Sequence, residues 1–379
     1  MNDRTPSLPR IVPVLRKFLA PSLAMLLSLT LANHASAETH HKKKKSKAKV
    51  VKLDTVGEYA HFANWKEVIP FIDMMVEQHG FERQALEAVL NKARLLDSAV
   101  QLIKPAPPGK PKNWQLYRAR FVEPQRIKAG VAFWNTYADA LARAEARYGV
   151  PADIIVGIIG VETIYGRNTG DFRVMDTLTT LAFAYPETPN RSARMNMFRS
   201  ELEQTLLYAR ESHIDPFSLN GSYAGAVGLP QFMPSNLRKY AVDFDGDGQI
   251  DLRNSAVDAI GSVAHFLREH GWQNAGPTAY PVKVSLTDAE GRAPWNMFIG
   301  QGLQAKFRLD ELRSGGVTPQ GEVLADIPYG LVDLQNGAEA TEYWLGAANF
   351  FTITQYNRSY FYAMSVIDLA QAVKSARDK

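Results

Sequence analysis

The sequence predicts a mainly α protein of the α+β class, and three observations support this prediction. Apolar residues recur at helical spacing from about residue 56 to 272, and again after Ser359. Between these stretches, residues 275–350 hold short β-rich runs separated by glycine pairs and Asp or Asn turns. The 379 residues are 46% hydrophobic and 22% charged, which is typical of a globular chain with a sizeable core and excludes wholesale disorder.

Residues 1–37 are predicted to be a cleaved signal peptide. Four positively charged residues precede an almost wholly apolar run from Phe18 to Ala32. Ala35-Ser36-Ala37 then supplies the small-residue pattern of a cleavage site. An uncleaved anchor is the alternative, although the apolar run is short for a membrane span. Cysteine is absent, which excludes disulfides, thiolate metal sites, cysteine nucleophiles and a lipid-modified N-terminal cysteine.

Residues 38–54 are predicted to form a lysine-rich tether. Its lysines are Lys42, Lys43, Lys44, Lys45, Lys47, Lys49 and Lys52. Because the first 52 residues hold eleven cations and only two carboxylates, the formal net charge of +4 leaves residues 53–379 net acidic. A net-acidic body argues against a nucleic-acid partner. The tether could contact anionic lipid headgroups, at about 1 kcal/mol per lysine before salt screening, or it could only space the body from a surface.

The body divides into four predicted regions. Residues 55–112 form an N-terminal helical region that ends in a proline-rich linker. Residues 113–274 form a helical core, in which Pro124 begins a long helix that stops at Gly149, and Pro151 begins the next helix. Residues 275–350 form a small β-rich insertion. Residues 351–379 complete the core with a helix for which Ser359 is the predicted N-cap.

A carboxylate, Glu162, ends a helix that is apolar on every face. Residues 153–162 read Asp-Ile-Ile-Val-Gly-Ile-Ile-Gly-Val-Glu, a pattern typical of a helix buried in the middle of a domain. A carboxylate placed there must be paired, or neutral because its pKa is raised. A raised pKa suits a general acid near neutral pH. The residues alone leave open a catalytic acid or an ion pair with Arg167 or Arg173.

A glycine-rich segment from Asn220 to Ser235 is the second candidate. It reads Asn-Gly-Ser-Tyr-Ala-Gly-Ala-Val-Gly-Leu-Pro-Gln-Phe-Met-Pro-Ser. Glycines let a backbone approach a ligand closely, and Ser222 and Gln231 offer neutral groups suited to sugar hydroxyls or amides. By composition alone, the segment could equally be a tight loop between helices.

Three motifs occur in order along the chain. They are Gly-Val-Glu-Thr-Ile-Tyr-Gly at 160–166, Gly-Ser-Tyr-Ala-Gly-Ala-Val-Gly-Leu-Pro-Gln-Phe-Met-Pro-Ser at 221–235, and Tyr-Asn-Arg-Ser at 356–359 with Tyr-Ala-Met at 362–364. Together they resemble the B-type lytic murein transglycosylases, from about residue 56 to the C-terminus. The resemblance implies a lysozyme-like core. It also implies cleavage of the β-1,4 bond between N-acetylmuramic acid and N-acetylglucosamine in peptidoglycan, leaving a 1,6-anhydromuramic end.

The resemblance further implies a mechanism with one carboxylate, whereas ordinary glycosidases use two. Glu162 is expected to protonate the glycosidic oxygen and then, once ionised, to take the proton of the C6 hydroxyl that closes onto the anomeric carbon. No cofactor is expected for catalysis. The residues that match the family's cleft positions are Ser222, Gln231, Tyr117, Asn357 and Tyr362. For Tyr362, which lies on an amphipathic helix, core packing is the alternative role.

The resemblance also bears on location and partners. Membrane-bound members of the family carry a lipidated cysteine, which this chain lacks. We therefore expect a periplasmic protein, secreted through a cleaved signal peptide and not lipid-anchored. Its expected partner is the glycan strand of peptidoglycan, and cell-wall synthesis proteins are candidate partners.

Residues 243–251 fit the first nine positions of an EF-hand loop. Carboxylates fall at positions 1, 3, 5 and 9, a glycine supplies the sharp turn, and position 7 would bind through its backbone carbonyl. Position 12 is Asn254 instead of a glutamate, so that either Asn254 or Asp258 would close the shell. The predicted ligands are Asp243, Asp245, Asp247, Gln249, Asp251, Asn254 and Asp258. We expect a structural Ca²⁺; an unoccupied acidic turn is the alternative, and Mg²⁺ fits a flexible oxygen-rich loop poorly.

Three other functions compete with the transglycosylase hypothesis. They are a muramidase that hydrolyses with water, a catalytically silent peptidoglycan-binding module, and a calcium-dependent interaction protein. A silent module would require a lost acid, whereas Glu162 is present, and a single incomplete loop is thin support for a calcium-dependent partner. The end group of the product distinguishes the enzymatic hypotheses.

Overall fold

The structure is a computed structural model of the chain, and it describes residues 54–105, 109, 111–285 and 292–379. The predicted signal peptide and all of the predicted tether except Asp54 lie outside the described residues. None of the described helices has the length and the apolar character that crossing a membrane requires.

The described residues form fourteen α-helices. They are α1 (Ile69–His79), α2 (Arg83–Lys92), α3 (Asp97–Leu102), α4 (Trp114–Arg118), α5 (Pro124–Thr136), α6 (Ala138–Tyr148), α7 (Ala152–Thr163), α8 (Val174–Phe183), α9 (Arg191–Glu211), α10 (Pro234–Tyr240), α11 (Ala256–Glu269), α12 (Leu309–Ser314), α13 (Ala348–Tyr356) and α14 (Tyr360–Arg377). Short 3-10 helices lie at Phe62–Asn64 and Pro294–Phe298.

Eight strands accompany the helices in the described part of the chain. They are β1 (Glu58–Tyr59), β2 (Arg94–Leu95), β3 (Phe172–Arg173), β4 (Asn220–Gly221), β5 (Ala279–Val284), β6 (Val317–Pro319), β7 (Gly330–Asn336) and β8 (Glu339–Gly346). The first four form two short antiparallel pairs, and the last four form one antiparallel sheet in the order β6-β5-β8-β7. The mainly helical prediction is confirmed, and the only four-stranded sheet of the described residues lies within residues 275–350.

Helix ends follow local sequence at most of the predicted places. The Ser359 hydroxyl accepts a hydrogen bond from the Tyr362 backbone N–H at 3.4 Å, which confirms Ser359 as the N-cap of α14. The predicted long helix from Pro124 to Gly149 is wrong in one respect, because it breaks between α5 and α6 at Tyr137. The break follows a run of aromatic, Asn and Thr residues, and Thr136 bonds back to the Ala132 carbonyl, a contact that bends helices.

Helix α7 lies at the centre of the main core. Ten of its twelve residues are buried, as its apolar sequence predicts. It packs against α14, α5, α6 and α11. Its contact with α14 is close because Gly157 has no side chain: a Cβ there would lie 2.6 Å from the Val366 carbonyl oxygen. Glu162 therefore lies at the C-terminal end of the helix that forms the buried centre of the protein.

The N-terminal helices cover a second hydrophobic cluster, formed with α8 and α9. Asp176 on α8 is fully buried and accepts hydrogen bonds from the Arg173 guanidinium at 2.6 and 3.0 Å. It also accepts the Arg94 backbone N–H at 2.9 Å, which links β2 to α8. A buried carboxylate satisfied in this way holds the N-terminal region on the core.

The four-stranded sheet contacts the helical core through β7 and α4. Asn336, at the end of β7, is 5% exposed and accepts the Gln115 backbone N–H of α4 at 2.9 Å. Its backbone carbonyl accepts a hydrogen bond from the Asn113 side chain at 3.3 Å, and its own amide donates to the Ala340 carbonyl at 3.1 Å. The sheet therefore holds the start of α4, the helix that carries Tyr117.

Candidate active site

The chain leaves the right-handed helical conformation directly after Thr163, the residue that follows Glu162 and ends α7. Ile164 and Tyr165 both take left-handed backbone conformations, with φ of 52° and 57°. Such a conformation costs about 1–3 kcal/mol in a residue other than glycine and persists only where surrounding contacts enforce it. The Thr163 hydroxyl, which is buried, donates to the Leu229 carbonyl at 3.0 Å and accepts the Gly166 N–H at 3.0 Å. The end of α7 is thereby joined to the glycine-rich segment.

Glu162 lies in a poorly solvated but still partly accessible position. Burial raises the pKa of its carboxyl to about 7, and a hydrogen bond from Tyr362 opposes that rise. The Tyr362 hydroxyl donates to Glu162 Oε1 at 2.6 Å. No described cation forms a salt bridge with Glu162, and Arg173 pairs with Asp176 instead. The ion-pair alternative is therefore not formed in the described part of the chain.

Two tyrosines of α13 and α14 form a pair beside this carboxyl. The rings of Tyr356 and Tyr362 lie 6.2 Å apart at an interplanar angle of 13°. The Tyr356 hydroxyl donates to the Pro230 carbonyl at 2.6 Å. Burial first, and then the nearby Glu162 charge, raise the pKa of both phenols well above their ordinary value. Both therefore stay protonated, and Tyr362 remains a donor toward Glu162.

Tyr356 was not among the residues predicted from sequence, although it begins the Tyr-Asn-Arg-Ser motif. Tyr362 was predicted as a cleft residue, and its side chain is 2% exposed. The structure brings Tyr362 to the catalytic candidate itself. The pKa of the Tyr117 phenol, on α4, is raised to about 12. Burial is the main cause, and the negative charge of nearby Glu162 adds to it.

The glycine-rich segment presents one oxygen without a partner. The Gln231 amide nitrogen donates to the Gly228 carbonyl at 2.9 Å and the Thr169 carbonyl at 3.2 Å. No described group donates to its amide oxygen, which is left as an acceptor. The Ser222 hydroxyl accepts the Ala226 N–H at 3.1 Å, so that its own proton remains available for donation.

Asn357 lies at the end of α13. Its side chain is 8% exposed, and its Oδ1 is buried with no hydrogen-bond partner among the described residues. An unpaired buried acceptor is costly unless a ligand or water supplies the donor. This is the second uncommitted amide oxygen among the predicted cleft residues.

The predicted metal loop brings three of its seven predicted ligands together. Carboxylate oxygens of Asp243, Asp245 and Asp258 lie within 4.8 Å of one another. Asp258, of α11, is 1% exposed. It accepts the backbone N–H groups of Phe244 at 2.8 Å, Asp245 at 3.3 Å and Asp251 at 2.9 Å. Asp258 therefore organises the loop as well as joining the acidic cluster.

Of the other predicted ligands, the carboxylates of Asp247 and Asp251 are not part of that acidic cluster. Asp251 accepts the Asn254 backbone N–H at 2.9 Å and the Asn254 side-chain amide at 2.8 Å. Asp247 accepts the Gln249 backbone N–H at 2.8 Å. These bonds shape the loop. The Asn254 amide nitrogen is engaged as a donor, and of the two closing ligands considered from sequence Asp258 places a carboxylate in the acidic cluster.

The metal loop and the glycine-rich segment share a backbone contact. The Leu229 N–H donates to the Leu252 carbonyl at 2.7 Å. Gly228 has a φ of 73°, and a Cβ there would lie 2.2 Å from the same carbonyl oxygen. A residue other than glycine at position 228 would therefore push the two segments apart.

The fold and its motifs have known relatives. A transglycosylase SLT domain family model matches residues 62–371. The chain is 45% identical over 325 residues to membrane-bound lytic murein transglycosylase B of Escherichia coli strain K12, covering 83% of this chain and 85% of the relative.

Two solved structures carry the comparison further. The E. coli lytic transglycosylase Slt35, solved in complex with calcium, is 43% identical, with a TM-score of 0.72 over 86% of this chain and 97% of that chain. SltB3 of Pseudomonas aeruginosa, solved in complex with NAG-anhNAM-pentapeptide, is 27% identical, with a TM-score of 0.67 over 82% of this chain and 80% of that chain. These matches confirm the predicted lysozyme-like, mainly helical fold. On this identity and coverage, the chain belongs to the transglycosylase SLT domain family of lytic murein transglycosylases, the lyases that cleave peptidoglycan.

Proposed function

We propose that Glu162 is the single acid–base group of this enzyme and that its products carry 1,6-anhydromuramic ends. The observation that carries the proposal is a carboxyl whose pKa is raised to about 7 and whose described hydrogen-bond partner is a neutral phenol. Such a group holds a proton near neutral pH and can also accept one. The anhydro ligand of the related SltB3 structure supports the same product class.

In the first step, protonated Glu162 donates its proton to the glycosidic oxygen. The bond between that oxygen and the anomeric carbon of N-acetylmuramic acid breaks, and the leaving sugar departs with a free hydroxyl. The substrate's own acetamido oxygen stabilises the positive charge at the anomeric carbon, so that the enzyme needs no second carboxylate. The Tyr362 hydrogen bond steadies the carboxylate that results.

In the second step, ionised Glu162 removes the proton of the C6 hydroxyl. The C6 oxygen bonds to the anomeric carbon and closes the 1,6-anhydro ring, and Glu162 regains its proton. The catalytic group therefore returns to its starting state without water.

The uncommitted polar groups fit the substrate's chemistry. We assign the free amide oxygens of Gln231 and Asn357 to substrate N–H or hydroxyl donors. The Ser222 hydroxyl is assigned to an acceptor such as the acetamido oxygen. The Tyr117 ring, packed against Trp114, Phe121 and Phe361, is assigned to the face of a sugar.

Digestion of purified sacculi tests the reaction type. We expect mass spectrometry to find muropeptides about 18 Da lighter than hydrolytic products, because the C6 hydroxyl closes onto the anomeric carbon in place of the water that hydrolysis would add. Reducing ends would instead establish a muramidase. Binding to sacculi with no soluble product would establish a silent module.

The pH dependence of the rate tests the acid. Burial raises the pKa of Glu162 to about 7, so that the protonated form which begins the reaction predominates below that pH. We expect kcat/KM on a soluble glycan to fall about tenfold per pH unit above roughly pH 7, since each unit removes nine-tenths of the remaining acid form. A rate that stays constant to pH 9 would contradict the assignment.

We also propose a structural Ca²⁺ at Asp243, Asp245 and Asp258. Hard oxygen donors suit this ion, and clustered carboxylates repel one another without a cation. The calcium complex of the related Slt35 supports the proposal. Asp247, Gln249, Asp251 and Asn254 are assigned to shaping the loop. The ion would supply charge neutralisation to the fold and no step of the reaction.

The location follows from the N-terminal sequence together with the family. We propose export to the periplasm through residues 1–37, with the lysines of residues 38–54 as a tether that contacts anionic lipid headgroups. Glycan strands are the proposed partner, and cell-wall synthesis proteins are candidates for contact with the same enzyme.

A further inference from the structure

Tyr165 occupies a slot between two helices, and the slot exists because each helix carries a glycine there. A Cβ on Gly130 of α5 would lie 2.4 Å from the Tyr165 hydroxyl oxygen, and a Cβ on Gly160 of α7 would lie 2.5 Å from it. Side chains essentially never approach so closely. The phenol ring therefore fills space that the side chain of any residue other than glycine at position 130 or 160 would occupy.

The backbone at Tyr165 needs such a restraint. Ile164 and Tyr165 are consecutive left-handed residues, an arrangement that is rare for a β-branched and a bulky side chain. The Ile164 N–H donates to the Gly160 carbonyl at 3.2 Å, and the Tyr165 N–H donates to the Ile159 carbonyl at a long 3.4 Å. The turn that follows α7 is also held through Thr163, whose hydroxyl accepts the Gly166 N–H and whose carbonyl accepts the Asn168 N–H, each at 3.0 Å. Packing of the Tyr165 ring adds to these bonds at the second of the two left-handed residues.

The ring is held by packing and not by its hydroxyl. The Tyr165 hydroxyl is buried and has no hydrogen-bond partner among the described residues. The Phe133 ring packs 5.2 Å from the Tyr165 ring, and the Val373 side chain lies beside Gly130 at the same slot. Shape is therefore the property through which Tyr165 acts.

We infer that Tyr165 is a positioning residue for Glu162: its trapped ring maintains the left-handed turn after α7 and thereby fixes the carboxyl against Tyr362. Tyr165 takes no part in proton transfer. The inference rests on the proposed role of Glu162, because a displaced carboxyl matters only if that carboxyl does the chemistry.

The decisive variant is Gly130→Ala, which adds a methyl group to the slot and changes no residue of the site. We expect kcat to fall about 100-fold with KM nearly unchanged, as a misplacement of about 1 Å produces. The pH above which kcat/KM falls should also change, because the altered contact between Glu162 and Tyr362 changes the pKa of the carboxyl. Adding Tyr165→Phe removes the atom nearest the new methyl group and should restore most of the lost kcat.

Gly130→Ala with Val373→Ala is the matched control. It removes the other close neighbour of the new methyl group, a Val373 methyl 2.6 Å away, but leaves the clash with the Tyr165 hydroxyl. We expect kcat to stay low in this control, because the clash that displaces the Tyr165 ring remains. Equal recovery of kcat by both double variants would overturn the inference, since kcat would then follow stability alone.

A second variant covers the case in which Gly130→Ala does not fold. Tyr165→Leu empties the slot, and we expect a large loss of kcat, whereas Tyr165→Phe alone should keep nearly normal turnover. Normal kcat in Tyr165→Leu would contradict the inference. Failure of the proposed role of Glu162 is separately visible, because the Glu162→Gln variant would then keep near-normal turnover whatever the Tyr165 variants do.

Discussion

The Glu162→Gln variant is expected to lose at least about a thousandfold in the rate at which anhydromuramic ends form, within the range that a positioned acid–base group supplies. Glutamine keeps the shape and an oxygen that can accept the Tyr362 hydrogen bond, but it cannot give up or take a proton. The measurement is the initial rate of anhydromuropeptide release from sacculi, with binding to sacculi measured in parallel. We expect binding to persist.

Glu201→Gln is the matched control for that variant. Glu201 is a second carboxyl whose pKa is raised by burial, and it accepts the Ser235 backbone N–H at 2.9 Å and the Ser235 hydroxyl at 2.8 Å. It ties α9 to α10 and is assigned no part in the reaction. We expect its replacement to change melting temperature more than turnover. Near-normal turnover of Glu162→Gln would remove the acid–base assignment.

The Asp258→Ala variant is expected to be the most destabilising single change in the metal loop, with or without calcium. It leaves three backbone N–H groups without their acceptor. At about 1–3 kcal/mol for each unsatisfied group, the loss is several kcal/mol, or about 10 °C in melting temperature. Thermal unfolding followed by circular dichroism in excess chelator measures this effect.

The combined Asp243→Asn and Asp245→Asn variant provides the contrast. Asparagine keeps an acceptor for the loop's own N–H groups but removes two charges, so the melting temperature in chelator should change little. The increase that calcium gives to the wild-type protein should disappear. An unchanged calcium response would exclude the proposed ion site, and an Asp258→Ala protein as stable as wild type in chelator would contradict the hydrogen-bonding role.

Local sequence predicted those features that depend on one segment at a time. The unbroken apolar run of residues 154–161 indicated a buried helix, which could hold carboxyls only at its two ends, where the structure has Asp153 and Glu162. Ser359 precedes a helical run and caps it. The change to β-rich runs after residue 275 matches the position of the four-stranded sheet.

Features that depend on contacts between distant segments were beyond such reasoning. The break at Tyr137 interrupts a continuous helical pattern. The position of Asp258 beside Asp243 and Asp245 depends on how α11 folds back onto Phe244 and Asp245, which residue spacing leaves open. Tyr356 joins the site only because α13 carries it to the Pro230 carbonyl.

The link between Asn336 and α4 makes the sheet a support for the helix that carries Tyr117, a proposed substrate-binding residue. The Asn336 side chain accepts a hydrogen bond from the Gln115 N–H, and the Asn336 backbone carbonyl accepts one from the Asn113 side-chain amide. The first turn of α4, the helix that carries Tyr117, is therefore bonded to the end of β7. A shortened enzyme that lacks residues 275–350 would therefore lose the hydrogen bonds that hold the start of α4, and with them a support for the position of Tyr117. Engineers who wish to trim or replace this insertion should retain the β7–β8 hairpin, whose tip at Gly337 itself donates to the Lys112 carbonyl at 2.8 Å.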